Sequence, residues 1–244
     1  MPRFFVPTPN FSEDTVSILG DDAFHIARAL RMAEGDEITV CDMQGNEHTC
    51  ILTRIRDEEC LCKITETKKG RTEPPVKISL YMAYPKGDKL ETVIQKAVEL
   101  GAYEITPFES SRCIKRPKAD KAEKQLQRLN RIAEEAAKQC GRGILPTVNP
   151  SISYNSVLFE AKAFDLVLFC YEGDGTESLK SILNRMDKVA SICVIVGCEG
   201  GFSQSEADAA KDAGFALCNL GPRILRCETA PTYVLASLSY HFEL

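Results

Sequence analysis

Two short runs of almost uninterrupted apolar residues constrain the fold of this chain more than any other feature. They span residues 165–171 and 191–196, and further strand-like runs occur at 76–83, 104–108 and 215–220. A strand that is apolar on both faces is buried on both, which is typical of a parallel sheet covered by helices. The larger, second part of the chain is therefore predicted to be an α/β domain.

Helices are predicted between these strands because apolar residues recur there every three or four positions. The first, near 88–100, carries the apolar stripe Leu90, Val93, Ile94, Ala97 and Val98. Asp88 and Glu91 fit a capping box at its start. Further helices are predicted near 118–140, 178–186, 204–213 and 230–242. Strands that alternate with helices complete the α/β pattern.

The first 70 residues show short alternating runs separated by tight turns. Strands are predicted at 2–6, 15–19, 37–42, 47–56 and 60–66, with one helical segment at 22–33. This pattern indicates a small β-barrel or sandwich. Residues 71–76 are polar and end in proline, which is typical of a linker. We therefore predict two domains, residues 1–70 and residues 77–244.

The composition excludes several classes of protein. No apolar run approaches the roughly 20 residues that a membrane-spanning helix needs, and the start of the chain has no export signal. The eleven cysteines are therefore expected to be reduced thiols in the cytoplasm. There is no Cys-x-x-Cys pair and the three histidines are scattered, so neither a metal site nor membrane attachment is predicted.

The loop after strand 191–196 is rich in glycine and leads into a helix. This glycine loop, residues 197–203, reads Gly-Cys-Glu-Gly-Gly-Phe-Ser, and Ser203 with Glu206 fits a capping box. Its glycines would let backbone groups approach a ligand, or would serve only a tight turn with positive φ. It matches neither G-x-G-x-x-G nor a P-loop, which argues against a nicotinamide or nucleotide-phosphate enzyme.

A second loop follows strand 215–220 and combines two arginines with a glutamate within a few residues. This arginine loop, residues 220–231, ends in Thr229 and Pro231, which fit a helix start. The alternative to a functional role for these charged residues is an ordinary ion pair at the surface. Ligands of parallel sheets bind beyond the carboxyl ends of the strands, so we expect both loops to line one site.

The two loops together carry a resemblance. Gly-x-Glu-Gly-Gly-Phe-Ser at 197–203 and Leu-Gly-x-Arg-Ile-Leu-Arg-x-Glu-Thr-Ala at 220–230 resemble the RsmE family, ribosomal small-subunit RNA uridine N3-methyltransferases of the SPOUT superfamily. Further matching stretches are Arg3–Val6, His25–Arg31, Gln95–Gly101 and Glu134–Arg142. Cys198 stands where that family usually has proline, and Cys140 where it has serine.

The resemblance implies the fold, the cofactor and the partners. It implies a small PUA-like, RNA-binding β-barrel followed by a SPOUT-type parallel-sheet domain with a trefoil knot. It further implies S-adenosylmethionine as the cofactor, 16S ribosomal RNA of the small subunit as the partner, and a homodimer.

The cofactor is expected to lie against the two loops and the end of strand 165–171. The candidate residues are Phe169, Tyr171, Glu172, Gly197, Glu199, Gly200, Gly201, Leu220, Gly221, Ile224 and Leu225. Uracil N3 carries a proton, so methylation there needs a base and a group that stabilises the anion. Arg226 is the candidate for stabilising the anion, and Glu228 for the base or for orienting Arg226. A pair between these two that only clamps the loop remains open.

RNA binding requires clustered basic residues even on a chain of net charge −5. The candidates are Arg3, His25, Arg28, Arg31, Arg112, Lys115, Arg116, Lys118 and Arg142. Ordinary solvated surface charges are the alternative. Because the chain is acidic overall, we expect a preformed ribonucleoprotein as the substrate rather than free RNA.

Two other functions remain open at this point. One is a SPOUT enzyme that methylates a ribose 2′-hydroxyl, which would share the knot loops. The other is a non-catalytic RNA-binding factor for ribosome assembly, which would not bind S-adenosylmethionine.

Overall fold

The protein divides into two compact units in a computed structural model that describes residues 1–114, 121–186 and 188–244. The first unit comprises Met1–Glu73 and Ala137–Leu145, and the second comprises Pro74–Ala136 and Pro146–Leu244.

The first unit contains a five-stranded sheet. Its strands are β1 (Arg3–Phe5), β2 (Thr15–Leu19), β3 (Glu37–Cys41), β4 (Asn46–Ile55) and β5 (Glu59–Lys69). Their order is β1-β3-β4-β5-β2, in which β1 and β3 are parallel and the other pairs antiparallel. A short helix α1 (Asp21–Phe24) continues as a π-helical turn over His25–Ala29, where the sequence predicted one longer helix.

Alternation of buried and exposed side chains explains the core of the first unit. Val16 and Ile18 in β2 are buried while their neighbours are more exposed. Cys50, Cys60 and Cys62 are fully buried in the same core. Free cysteine behaves there as a small hydrophobic residue.

The second unit contains an eight-stranded parallel sheet. Its strands are β6 (Lys77–Ala83), β7 (Glu104–Glu109), β8 (Thr147–Val148), β9 (Ile152–Ser153), β10 (Leu166–Cys170), β11 (Glu177–Ser178), β12 (Ser191–Val196) and β13 (Ala216–Asn219). The order is β11-β13-β10-β12-β6-β7-β8, and β9 also pairs with β7. All five residues of β10 are buried, as expected for a central strand of such a sheet.

Helices connect these strands. They are α2 (Lys89–Glu99), α3 (Ala122–Cys140), α4 (Tyr154–Glu160), α5 (Leu179–Leu183), α6 (Gln204–Asp212) and α7 (Thr229–Glu243). The apolar stripe of α2 is buried as predicted. The prediction of a capping box at Asp88 is wrong, because the Asp88 side chain makes no capping hydrogen bond. The Glu91 carboxylate instead lies 2.8 Å from the Arg128 guanidinium. The capping box of Ser203 and Glu206 is confirmed.

The mixed α/β organisation predicted from the sequence is confirmed, whereas the trefoil knot stays a prediction. The sequence missed β8, β9 and β11, which have two residues each, and the seven-residue α4. Periodicity cannot be detected over so few positions. Within the described ranges no helix is long and apolar enough to cross a membrane.

Candidate active site

A cavity of about 640 Å³ opens at one edge of the parallel sheet. Strand β10 lies between β12 and β13, and all three run in the same direction. Their carboxyl ends therefore meet at this edge, and the segments that follow them surround the cavity. Its volume is within the range of small-molecule binding sites.

Most of the predicted cofactor residues line this cavity. They are Tyr171, Glu172, Gly197, Glu199, Gly201, Leu220, Gly221, Ile224 and Leu225, and Arg226 lines it too. Three separate segments are thus brought together as the sequence predicted.

The glycine loop contains a tight turn that only glycine fits. The N–H of Gly201 donates to the carbonyl of Cys198 at 2.9 Å, and Gly201 has a φ of 62°. A Cβ atom on Gly197 would lie 3.1 Å from the backbone of Gly201, and one on Gly201 would lie 2.5 Å from the Glu172 carboxylate. The positive-φ turn and the close backbone approach are therefore both present, and both require glycine.

Aromatic packing supports this turn from below and corrects one prediction. Phe169 is fully buried and its ring centroid lies 4.2 Å from that of Phe202. Phe202 also stacks on Phe108 at 6.3 Å. Phe169 is thus a core residue that supports the glycine loop, and its side chain does not line the cavity because it packs against Phe202.

Gly200 and Arg112 contact each other rather than a ligand. The Arg112 guanidinium donates to the carbonyl of Gly200 at 2.8 Å, and a Cβ atom on Gly200 would lie 3.0 Å from the Arg112 Cβ. Gly200, which was predicted to contact the cofactor, is not among the residues that line the cavity. Arg112, predicted to bind RNA, is exposed but already holds the glycine loop.

Lys89 is a site residue that sequence reasoning missed. Its ammonium nitrogen lies 3.1 Å from a Glu199 oxygen and 3.1 Å from a Glu228 oxygen. We call Lys89, Glu199 and Glu228 the Lys89 bridge. Lys89 begins α2, shortly after β6, which is the neighbour of β12 in the sheet. Its place after a strand end was the signal that could have identified it.

The Lys89 bridge keeps its three groups ionised. The two carboxylates raise the pKa of Lys89. Burial opposes ionisation of Glu199, but its own N–H, Lys89 and the N–H of Lys86 outweigh burial and lower its pKa. The N–H of Glu228, and then the Cys227 thiol and Lys89, likewise lower the pKa of Glu228 against burial.

Arg226 and Glu228 do not form the pair that the sequence left open. Glu228 is held by Lys89 and by the Cys227 thiol at 3.2 Å. The Arg226 side chain is exposed at the cavity, and in the part of the chain that the structure describes no ion pair involves it. Its guanidinium is therefore accessible to a ligand, and Glu228 does not orient it.

A thiol of the glycine loop, Cys198, lies close to a second thiol, Cys113. The Ser110 hydroxyl is 3.2 Å from the Cys113 sulfur and 4.0 Å from the Cys198 sulfur. A hydrogen bond with Cys113 lowers the pKa of Cys198 against the effect of burial, with further help from the N–H of Gly200 and from Ser110. The same contact, together with burial, raises the pKa of Cys113. Cys198 is therefore the thiol of the pair that ionises first, and Cys113 keeps its proton.

Arg3 and Arg142, both predicted as RNA contacts, make contacts within the first unit, and the burial of Arg142 corrects that prediction for Arg142. The Arg142 side chain is 4% exposed and pairs with Glu73 at 2.7 Å. Arg3 donates to Glu47 at 3.1 Å and to the carbonyl of Arg142 at 3.2 Å. The Arg142 guanidinium is buried and paired, so it is not available to phosphate, whereas Arg3 is half-buried and keeps part of its side chain at the surface.

The other predicted RNA contacts are divided between exposed and undescribed positions. His25, Arg28 and Arg31 are exposed, and Arg28 pairs with Asp57 at 2.6 Å. Lys115, Arg116 and Lys118 lie outside the described residues. Among the described residues, no three His, Cys, Asp or Glu side chains are grouped so as to hold a metal ion.

The fold and the site match a known class of proteins. The family model described as an RNA methyltransferase domain matches residues 72–239, and the model described as an RNA methyltransferase PUA domain matches residues 18–65. The first match covers well over half of the chain. This chain therefore belongs to the RNA methyltransferase family that these models define.

Individual relatives agree with this assignment. Ribosomal RNA small subunit methyltransferase E of Bacillus subtilis is 36% identical, with 100% of this chain and 98% of that protein covered. The structure of the enzyme of that name from Neisseria gonorrhoeae, bound to S-adenosylmethionine, is 32% identical with a TM-score of 0.86 over 98% of this chain and 97% of that one. A putative Legionella pneumophila methyltransferase in complex with the same cofactor is 28% identical with a TM-score of 0.86 and covers 98% and 96%.

Proposed function

We propose that this protein transfers a methyl group from S-adenosylmethionine to N3 of a uridine in 16S ribosomal RNA of the small subunit. The observation that carries the proposal is the cavity at the carboxyl ends of β10, β12 and β13, lined by the segments in which the family resemblance lies. The full-length similarity to enzymes named ribosomal RNA small subunit methyltransferase E supports the substrate class.

The residues around the cavity fit an adenosine-containing cofactor. Glycines at 197, 201 and 221 leave backbone groups open to a ligand, and Gly221 has a φ of 101°. Leu220 and Leu225 supply apolar surface for a purine. When bound, the cofactor supplies a methyl group on a positively charged sulfur.

Arg226 and Glu228 take separate roles in this proposal. Arg226 binds the uracil through its free guanidinium and stabilises the negative charge that develops when N3 loses its proton. Glu228 is ionised and is therefore able to accept that proton directly or through water. Because Lys89 holds Glu228, the carboxylate has a fixed position before RNA binds.

The remaining parts of the proposal concern organisation and partners. Residues 1–70 bind RNA through exposed basic side chains such as His25 and Arg31, residues 71–76 link the domains, and residues 77–244 form the knotted catalytic domain. The protein acts as a cytoplasmic homodimer on an assembled small subunit. The resemblance to the family and the exposure of these side chains support this view.

The direct test is methylation of small subunits that lack the modification. Purified protein, labelled S-adenosylmethionine and either small subunits or free 16S RNA are incubated, and the RNA is digested to nucleosides for mass spectrometry. We expect N3-methyluridine, formed faster on the subunit. A ribose-methylated nucleoside would instead identify a 2′-O-methyltransferase. If no methyl group is incorporated into the RNA and the protein does not bind S-adenosylmethionine, the protein is a non-catalytic assembly factor instead.

A further inference from the structure

Lys89 connects the two loops that face each other across the cavity. Its ammonium group lies 3.1 Å from Glu199 in the glycine loop and 3.1 Å from Glu228 in the arginine loop. The two carboxylates follow different strands, β12 and β13, which are separated in the sheet by β10. One side chain from a third segment, the start of α2, thus links the two walls.

The first half of the arginine loop is exposed, whereas its second half is anchored by the buried Cys227 and Ala230. Pro222, Arg223 and Ile224 are exposed, and Ile224 is 87% exposed. Among the described residues, the contact between Lys89 and Glu228 is the ion pair that involves this loop. Glu199, in contrast, also accepts hydrogen bonds from the N–H of Lys86 at 3.1 and 3.2 Å. Loss of Lys89 would therefore release the arginine loop more than the glycine loop.

A simple surface ion pair does not account for this arrangement. The Lys89 side chain is 32% exposed and lines the cavity itself. It contacts two carboxylates at once and lies 3.8 Å from the Cys227 sulfur. Two partners fix a flexible lysine more firmly than one, because the entropy of ordering the side chain is lost only once.

We propose that Lys89 is a positioning residue for methyl transfer, which holds the glycine loop and the arginine loop at the separation that S-adenosylmethionine requires. The inference rests on the proposed function, because it concerns the same cavity. Lys89 acts through Glu199 and Glu228 and does not contact the reacting atoms. The two loops are thereby arranged before the cofactor enters, which removes part of the ordering entropy from the binding step.

The experiment compares Lys89→Met, Lys89→Arg and the control Lys96→Met. Lys96 lies in the same helix, and its ammonium nitrogen is 2.9 Å from a Glu99 oxygen. Neither residue lines the cavity. Calorimetry with S-adenosylmethionine measures the Kd of each variant, and thermal unfolding measures its stability. We expect about tenfold weaker binding for Lys89→Met, near-normal binding for Lys89→Arg, and no change for Lys96→Met.

Steady-state kinetics distinguishes positioning from a merely structural role. A positioning role raises the KM for S-adenosylmethionine in Lys89→Met while kcat at saturating cofactor changes less. Global destabilisation would instead reduce the active fraction, and so lower kcat at unchanged KM. Glu228→Gln breaks only one contact of the Lys89 bridge. The double variant with Lys89→Met should lose less binding free energy for S-adenosylmethionine than the sum of the losses in the two single variants.

The outcomes separate this inference from the proposed function. If the unmodified protein binds S-adenosylmethionine but Lys89→Met binds it equally well, the positioning role is refuted and the proposed function stands. If the unmodified protein does not bind S-adenosylmethionine at all, the proposed function fails first. Failure of Lys89→Arg to restore affinity would also refute the role, because arginine can contact both carboxylates.

Discussion

Replacement of Arg142 by methionine should destabilise the first unit of the protein strongly. The guanidinium donates to both Glu73 oxygens, with Nε at 3.0 Å from each and Nη2 at 2.7 Å from one. Its side chain is 4% exposed and that of Glu73 is 23% exposed. Methionine fills much of the same volume, so the main loss is the forked charge-assisted pair and not packing.

The expected loss is about 3 kcal/mol, because removing one partner of a buried pair leaves the other charge incompletely compensated. The N–H groups of Gly143 and Ile144 still donate to Glu73, at 2.8 and 3.3 Å, which keeps the loss from being larger. With an m value of about 1.5 kcal/mol/M for a small unit, the urea midpoint should fall by about 2 M.

The assay is unfolding in urea, monitored by amide hydrogen exchange in the strands of the first unit. Arg28→Met is the matched control, because Arg28 makes the same forked contact with Asp57 at 64% exposure. We expect no measurable change in stability for the control. If Arg142→Met unfolds like the unmodified protein but loses RNA binding, Arg142 is an RNA contact after all and the structural account is wrong.

Three further predictions concern the second unit. Arg226→Ala should keep the fold and the affinity for S-adenosylmethionine but abolish methylation in the nucleoside assay, and normal methylation would refute the anion-stabilising role. Burial alone would raise the pKa of Glu206, yet hydrogen bonds from Ser111 and Ser203 outweigh it and lower that pKa. Glu206→Gln should therefore lower the free energy of unfolding by about 2 kcal/mol at pH 7. This difference should shrink as the pH falls below the ordinary glutamate pKa of about 4.3 and vanish once it falls through the lower pKa of the folded state, and a constant difference would argue against an ionised Glu206. Cys198 should react with iodoacetamide with a pH midpoint below the ordinary thiol pKa of about 8.5, measured by peptide mass spectrometry, whereas a midpoint at or above that value would show that its thiolate is not stabilised.

The sequence predicted the features that are regular over many residues. Continuously apolar strands identified the central strands β10 and β12, and the rule that ligands bind beyond strand ends identified both loops of the cavity. The glycine requirement at position 201 was also visible, because few other residues tolerate its positive φ. Such signals are local, so a single sequence contains them.

Contacts between distant segments were not predictable in the same way. Lys89 is more than a hundred residues from Glu199 and Glu228, and nothing in its neighbours indicates either partner. Arg142 was predicted as an RNA contact, yet its side chain is buried. Its burial depends on Glu73, which approaches it only in the folded chain.

The arrangement of the glycine loop and the arginine loop around one cofactor is the central claim, and a crystal structure of the protein with S-adenosylmethionine tests it most directly. The account predicts that the adenosine lies in the cavity beyond the carboxyl ends of β10, β12 and β13, with the methyl group directed towards Arg226. A cofactor bound elsewhere on the protein, or a cavity closed by side chains in crystals grown with saturating cofactor, would contradict it.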